Sequence, residues 1–272
     1  MRTLTVSLLV VVLLVSCKPF TKKEEKSTAF QPTTFVLVHS AWLGSWQWDA
    51  VKQELEAAGH HVITPDLPGH GVSKILASEI YMTDYVDALT QILDSQLKPV
   101  VLVGHSFNGI TVSRVAELRP YKVKSLVYLT AFLVPNDVSF FDAVEGVQGS
   151  TAVDHFYLSE DRSQAFVAAD QIHAAFAHDT PLETFEQVAP KIVPEPAAPL
   201  AYKLEVSEEH WGQIPKYYIE CTEDRAIPIE VQQSMYDGRV QEYYSLKSSH
   251  TPNFSMPKPL AEILIKIAAK ED

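Results

Sequence analysis

A serine hydroxyl becomes a useful nucleophile only when a base can take its proton and the chain lifts it clear of its surroundings. The segment Gly104-His105-Ser106-Phe107-Asn108-Gly109 offers such a setting. It follows an apolar run at 99–103 (PVVLV) and precedes a helical pattern over 107–118, so Ser106 falls on a strand-to-helix turn. The turn brings backbones close together and needs small neighbours, as in the G-x-S-x-G elbow of serine nucleophiles. The fifth position of that motif is Asn108 here instead of glycine, a residue that tolerates unusual backbone angles. A serine that merely caps the helix is the competing reading.

Ten histidines compete for the role of base. His250 lies in Ser248-Ser249-His250-Thr251-Pro252, just past the last strand pattern, where a loop can reach the elbow. His105 adjoins the serine, and its side chain is expected to point elsewhere. His39 ends the first strand and is expected to shape the loop after it, whereas His60, His61 and His70 read as packed or solvated. The base needs a carboxylate to fix its tautomer. Asp224 follows the strand pattern KYYIEC, with Glu223 one position away and facing differently, and Asp137 after the fourth strand is the other serious candidate. Charge developing on a carbonyl oxygen needs two backbone N–H donors. Phe107, directly after the nucleophile, and Ala41, in the loop His39-Ser40-Ala41-Trp42-Leu43-Gly44-Ser45-Trp46, are the expected pair.

The elements that must position these groups alternate. Strand patterns at 34–39, 61–64, 99–103 and 123–129 are separated by helical patterns at 48–58, 83–97 and 107–118, with Gly59 capping the first helix and Thr83 starting the second. Nearly uniform apolar strands in such an alternation predict a doubly wound, mostly parallel α/β sheet covered on both faces. From about 132 to 208 no convincing buried strand is visible. That stretch, rich in proline and aromatics, reads as a mostly helical cap inserted over the strand ends. The pattern resumes with a strand at 216–221, a helix around 228–236, a strand at 240–246 and a helix at 257–270.

The N-terminus reads as export machinery. A positive Met1-Arg2 and an apolar run over 4–15 end in Leu14-Val15-Ser16-Cys17, which looks like a bacterial lipobox with Cys17 as the lipidated residue. The run is too short to span a bilayer, and a plain secretory signal is the alternative. Residues 18–32 form a polar tether, leaving 33–272 as the folded domain. Lipidation of Cys17 would leave Cys221 without a partner for an internal disulfide. The expected location is a bacterial cell envelope, with the lipid as the membrane partner. The chain has 272 residues, 46% of them hydrophobic, and a formal net charge of −12. Such a charge argues against nucleic acid and anionic lipid as partners. A homodimer stays open.

The segments FVLVHSAWLGSWQW, LEAAGHHVITPDLPGHG, VLVGHSFNG, YYIECTEDRAIP and SSHTPNFS together cover most of 34–130 and 215–268. They resemble the plant methylesterase and hydroxynitrile lyase branch of the α/β-hydrolases and its bacterial small-ester hydrolase relatives. The resemblance implies a triad of Ser106, Asp224 and His250, oxyanion amides of Ala41 and Phe107, and no metal or organic cofactor. Ser40 stands where the family usually has glycine, and Thr251 stands where its lyases carry a lysine that holds cyanide. Hydrolysis of a small carboxylic ester is therefore the leading expectation. Lyase or other C–C or C–N bond chemistry on the same triad is the alternative, followed by a non-catalytic binding lipoprotein or an envelope structural lipoprotein. Phe140, Phe141, Phe156, Phe166 and Phe176 suggest either an apolar substrate pocket or ordinary cap core.

Overall fold

The computed structural model describes residues 31–271, so Cys17 and all but the end of the 18–32 tether lie outside the described residues. Four apolar segments form strands β1 (Thr34–Val38), β2 (His61–Ile63), β3 (Val100–His105) and β4 (Val123–Leu129). Helices α1 (Asp49–Ala57), α2 (Met82–Ser95) and α3 (Asn108–Leu118) cross between them. An insertion follows, with helices α4 (Phe140–Val144), α5 (Thr151–Asp154), α6 (Ile172–Phe176), α7 (Leu182–Val188) and α8 (Ala197–Leu200). The chain then returns with β8 (Lys216–Cys221), α9 (Ile229–Tyr236), β9 (Glu242–Leu246), α10 (Pro252–Ser255) and α11 (Pro257–Lys270), where β5 to β7 are the insertion's own strands, given below.

The sheet order is β2-β1-β3-β4-β8-β9, and every neighbouring pair is parallel. Alternate residues of each strand feed opposite faces. Leu102 and Leu126 join Leu89, Ile110 and Tyr236 on one side. Val101, Val103 and Val127 join Val51, Leu55, Leu260 and Leu264 on the other. Both faces are covered, which is why the central strands are apolar throughout.

Two local expectations differ. Helix α2 begins at Met82, and the Asp84 carboxylate accepts the Tyr81 amide at 2.7 Å, so Thr83 is not its cap. An aspartate in the first turn also favours the helix dipole. The insertion is not purely helical: β5 (Phe156–Leu158), β6 (Gln164–Val167) and β7 (Glu195–Pro196) form a small antiparallel sheet. These strands have two to four residues each, too few to leave a readable period in the sequence.

Burial governs the histidines around the strand ends. His39, just past β1, is buried, and desolvation with the nearby His70 lowers its pKa to about 3. His105, the last residue of β3, is held well below the usual range by burial and by His250. His178 is lowered by burial and Arg225. His70 goes the other way: burial opposes its charge, but Glu195 outweighs that and raises its pKa.

Two outcomes follow. Alanine at Gly109 would set a Cβ 2.7 Å from the Phe132 carbonyl oxygen, and urea unfolding of Gly109→Ala should register a loss of about 1–3 kcal/mol. A histidine with a lowered folded pKa contributes stability above its unfolded pKa of 6.5, and that stability is lost as pH falls towards the folded value. A raised one, as at His70, contributes below 6.5 and is lost as pH rises through its folded value. Three lowered histidines oppose one raised, so the thermal midpoint should drop between pH 7 and pH 5. A midpoint that is flat or rising over that interval contradicts this balance.

Candidate active site

Ser106 takes a left-handed backbone, φ 57°, at the end of β3. A non-glycine residue reaches that region only when its neighbours hold it there. The Ser106 amide donates to the Leu129 carbonyl at 3.2 Å, and its own carbonyl accepts from the amides of Gly109 and Phe132. Small residues are needed on both sides. A Cβ at Gly104 would fall 2.6 Å from Val112 Cγ2 and 2.8 Å from the Asn108 carbonyl oxygen. Asn108, the departure from the motif, is fully buried and ties the turn to the first strand. Its Nδ2 donates to the His39 carbonyl at 2.7 Å, and its Oδ1 accepts from Thr111.

His250 and Asp224 meet as expected. His250 Nδ1 donates to Asp224 Oδ2 at 2.6 Å, with both side chains buried. Proton occupancy is assigned from the network: a carboxylate only accepts, so a proton sits on Nδ1, and in the neutral imidazole Nε2 keeps its lone pair. That Nε2 is buried with no hydrogen-bond partner. The carboxylate is held from several sides. Its Oδ1 accepts the amides of Ala226 and Ile227, and its Oδ2 also accepts Thr130 Oγ1 at 2.5 Å and Gln232 Nε2 at 3.5 Å. The other carboxylates lie elsewhere. Asp137 is largely exposed beside Lys203, and Glu223 faces Lys247 at 3.6 Å. Thr130 could have been suspected as a polar residue directly after a buried strand, whereas Gln232 left no signal.

His105 points away from the serine, but into the site's supporting network. His105 Nε2 lies 2.8 Å from the His250 carbonyl, and Nδ1 lies 2.9 Å from Gln47 Nε2. Gln47 Oε1 accepts the Ser40 amide, so its Nε2 is the donor, His105 Nδ1 the acceptor and His105 Nε2–H the donor to His250. The chain from Ser40 through Gln47 and His105 thus joins the loop after β1 to the histidine loop. His39 braces the same loop, donating from Nδ1 to the Ser40 carbonyl and accepting the Leu67 amide on Nε2. His60 is buried against the Thr33 amide, and His61 is exposed. Nothing in the spacing of the sequence pointed to Gln47, a polar residue between two tryptophans.

Ala41 and Phe107 are both buried, and among the described residues their backbone amides donate to no protein acceptor. An amide left unpaired in the interior is costly, so both are open to an incoming oxygen. Two apolar cavities adjoin. One of about 80 Å³ contains Ser106 with Phe140, Phe141, Phe156 and Ile227. The other, of about 220 Å³, runs along Ala41, Phe166, Phe185, Val193 and Thr251. Trp42 and Phe176, with ring centroids 5.6 Å apart, line both and partition them. All five phenylalanines singled out in the sequence line one or both cavities, and no charged side chain lines either. Among the described residues no group of histidine, cysteine and carboxylate side chains has the arrangement of a metal site.

Known proteins share this arrangement of elements. Residues 35–263 match the model of the alpha/beta hydrolase family. The chain is 34% identical to methylesterase 7 of Arabidopsis thaliana over 250 residues, which is 87% of this chain and 96% of that one. It is 30% identical to the alpha-hydroxynitrile lyase of the same plant, over 86% of this chain and 96% of the relative. A solved structure of a pyrethroid hydrolase from Sphingobium faniae is similar with a TM-score of 0.78 at 28% identity, covering 88% of this chain and 98% of the other. The chain belongs to the alpha/beta hydrolase family.

Proposed function

We propose that the protein hydrolyses small, uncharged carboxylic esters through an acyl-enzyme on Ser106. The observation that carries this reading is the buried His250–Asp224 pair next to the turn of Ser106, where His105 Nε2 donates to the His250 carbonyl at 2.8 Å. His250 Nε2 has a free lone pair, and the Ala41 and Phe107 amides have unused protons. Similarity to methylesterase 7 and to a pyrethroid hydrolase supports ester hydrolysis as the reaction.

In this mechanism Ser106 Oγ attacks the carbonyl carbon and His250 Nε2 takes the hydroxyl proton. The carbonyl oxygen becomes an anion and accepts from the Ala41 and Phe107 amides. The tetrahedral intermediate collapses, the carbon–oxygen bond to the alcohol breaks, and His250 returns its proton to the leaving oxygen. Water then attacks the acyl carbon and gives a proton to His250. The second collapse breaks the bond to Ser106 Oγ, which takes that proton back. Asp224 accepts the Nδ1–H of His250 and holds the imidazole in register. The apolar cavities supply no partner for a charged acyl or alcohol group, so a charged ester would be desolvated without compensation. The position after the histidine carries no cation, since Thr251 Oγ1 donates to the Phe176 carbonyl at 2.7 Å. That favours ester hydrolysis over release of cyanide.

The lipobox pattern at Cys17 supports attachment of the exported chain to a bacterial envelope membrane by lipid. Among the described residues no helix is long and apolar enough to cross a membrane. Fatty-acid labelling of the full chain in cells, lost in Cys17→Ala, checks this, and labelling that persists in the variant refutes it.

The catalytic reading predicts turnover of p-nitrophenyl acetate and butyrate by the folded domain. Ser106→Ala should lower kcat by at least about 10⁴-fold, and a methyl ester bearing a free carboxylate should be a poor substrate. A variant as active as the parent removes Ser106 from the mechanism, and an ester hydrolase indifferent to substrate charge removes the apolar-substrate reading.

A further inference from the structure

Three consecutive amides in the loop after β1 have different fates. The Ser40 amide donates to Gln47 Oε1 at 3.0 Å, and the Trp42 amide donates to Glu195 Oε2 at 2.9 Å. The Ala41 amide between them has no protein acceptor among the described residues. The Ala41 N–H lies in the Ser40–Ala41 peptide plane, whose carbonyl accepts His39 Nδ1 at 2.8 Å and the Leu43 amide at 3.4 Å. The side-chain acceptors of the Ser40 and Trp42 amides hold the planes before and after it.

We propose that Glu195 is a positioning residue for the oxyanion hole, reaching from the insertion to hold the Trp42 amide and so aim the Ala41 amide at the substrate carbonyl. The inference rests on the ester-hydrolase reading of the site.

Several observations carry it. Trp42 has φ 64°, a strained conformation for a bulky side chain, so something must hold it. Its carbonyl accepts the Val193 amide at 3.0 Å and its indole donates to the Ala165 carbonyl at 2.9 Å, which fix the outer peptide plane and the ring. Glu195 takes the amide of the plane between Ala41 and Trp42, whose carbonyl end accepts the Ser40 hydroxyl at 3.0 Å. Glu195 is fully buried in β7, 153 residues away in sequence, where a carboxylate is tolerated only if it is paired and hydrogen-bonded. Its Oε2 also accepts His70 Nε2 at 2.8 Å, and its Oε1 accepts the Tyr85 hydroxyl at 2.8 Å. The other ring nitrogen of His70 faces the Pro68 carbonyl at 3.2 Å, so both of its nitrogens meet acceptors, as an imidazolium requires. The charge is thus balanced next to the loop that it orders.

The test compares steady-state hydrolysis of p-nitrophenyl butyrate by the parent, Ser106→Ala, Glu195→Ala, Glu195→Gln and Tyr85→Phe. Glu195→Ala should lose on the order of 10- to 100-fold in kcat with KM within about two-fold, because the lost contact matters when the oxyanion forms. Glu195→Gln keeps an oxygen for the Trp42 amide and should recover most of that loss. Tyr85→Phe removes a bond to the same carboxylate without touching Trp42, so it should cost stability while leaving kcat within about two-fold. If Glu195→Ala does not fold, the triple variant Glu195→Met, His70→Leu, Tyr85→Phe replaces the network with apolar groups, a change that buried ion pairs often tolerate. It should show the same kcat loss. A folded Glu195→Ala or triple variant with parental kcat, or a loss of kcat that tracks thermal stability equally in Tyr85→Phe, overturns the proposal. A parent without esterase activity, or an active Ser106→Ala, instead overturns the reading of the site, and the positioning role falls with it.

Discussion

The left-handed backbone at Ser106 is the constraint on which the rest of the site depends. It is reached in one step from the last residue of β3, and it is held by the Leu129 carbonyl at the end of the neighbouring β4 and by the amides of Gly109 and Phe132. That grip exists because β3 and β4 run parallel and in register, with Gly104 opposite Tyr128 and His105 opposite Leu129. The next strand in the sheet is β8, so the turn carrying Asp224 arrives beside Thr130, the residue after β4. Strand β9 comes next and delivers the loop of His250. Strand order, set by right-handed crossovers, thus gathers groups that are 118 and 26 positions or more apart in the chain into one cluster at one edge of the sheet.

The distribution of hydrogen bonds is uneven in an informative way. Asp224 accepts from two amides, a hydroxyl, a carboxamide and an imidazole, and Asn108, Gln47 and Gln232 use both ends of their amides. Burying polar groups costs free energy unless each finds a partner. Against that background, the His250 Nε2 and the amides of Ala41 and Phe107 are among the groups left unpaired. Phe107 directly follows the serine on the strained turn, and the His250 carbonyl is bonded to His105, directly before it. A site preorganised for a developing negative charge must keep its donors unspent in the free protein, since donors already satisfied would have to be released first.

Much of this was legible in the sequence because it is local. An apolar strand, a glycine, a serine and a helical pattern are contiguous, and they placed Ser106 without reference to the rest of the chain. Asp224 and His250 were legible as a candidate pair because each follows a strand. The supporting groups were not legible. Gln47 and His105 are 58 positions apart, and Trp42 and Glu195 are 153 apart, so no window of sequence contains either pair. His70 read as a packed or solvated loop residue, whereas its buried partner sits 125 positions later. The short strands of the insertion were missed for another reason: β7 has two residues, and its pairing with β6 depends on the chain returning from a separate excursion.

The insertion does more than cover the sheet edge. It supplies most of the walls of both cavities, including Phe140, Phe156, Phe166 and Phe185. It also grips both loops that carry the proposed chemistry. Phe176 accepts the Thr251 hydroxyl and packs its ring 5.5 Å from that of His250, and Asp179 Oδ2 accepts the Ser249 amide at 2.9 Å. Trp42, on the other loop, is held by Ala165, Val193 and Glu195. Substrate selection and the geometry of the reacting groups therefore share one set of residues. A change of side chain that widens a cavity can also shift the peptide planes next to it, because close-packed interiors transmit such displacements. In an ester hydrolase built this way, specificity is not free to vary independently of rate. The residues best placed to change the substrate without that cost are those that line a cavity and hydrogen-bond to neither loop, such as Phe140, Phe156 and Phe185.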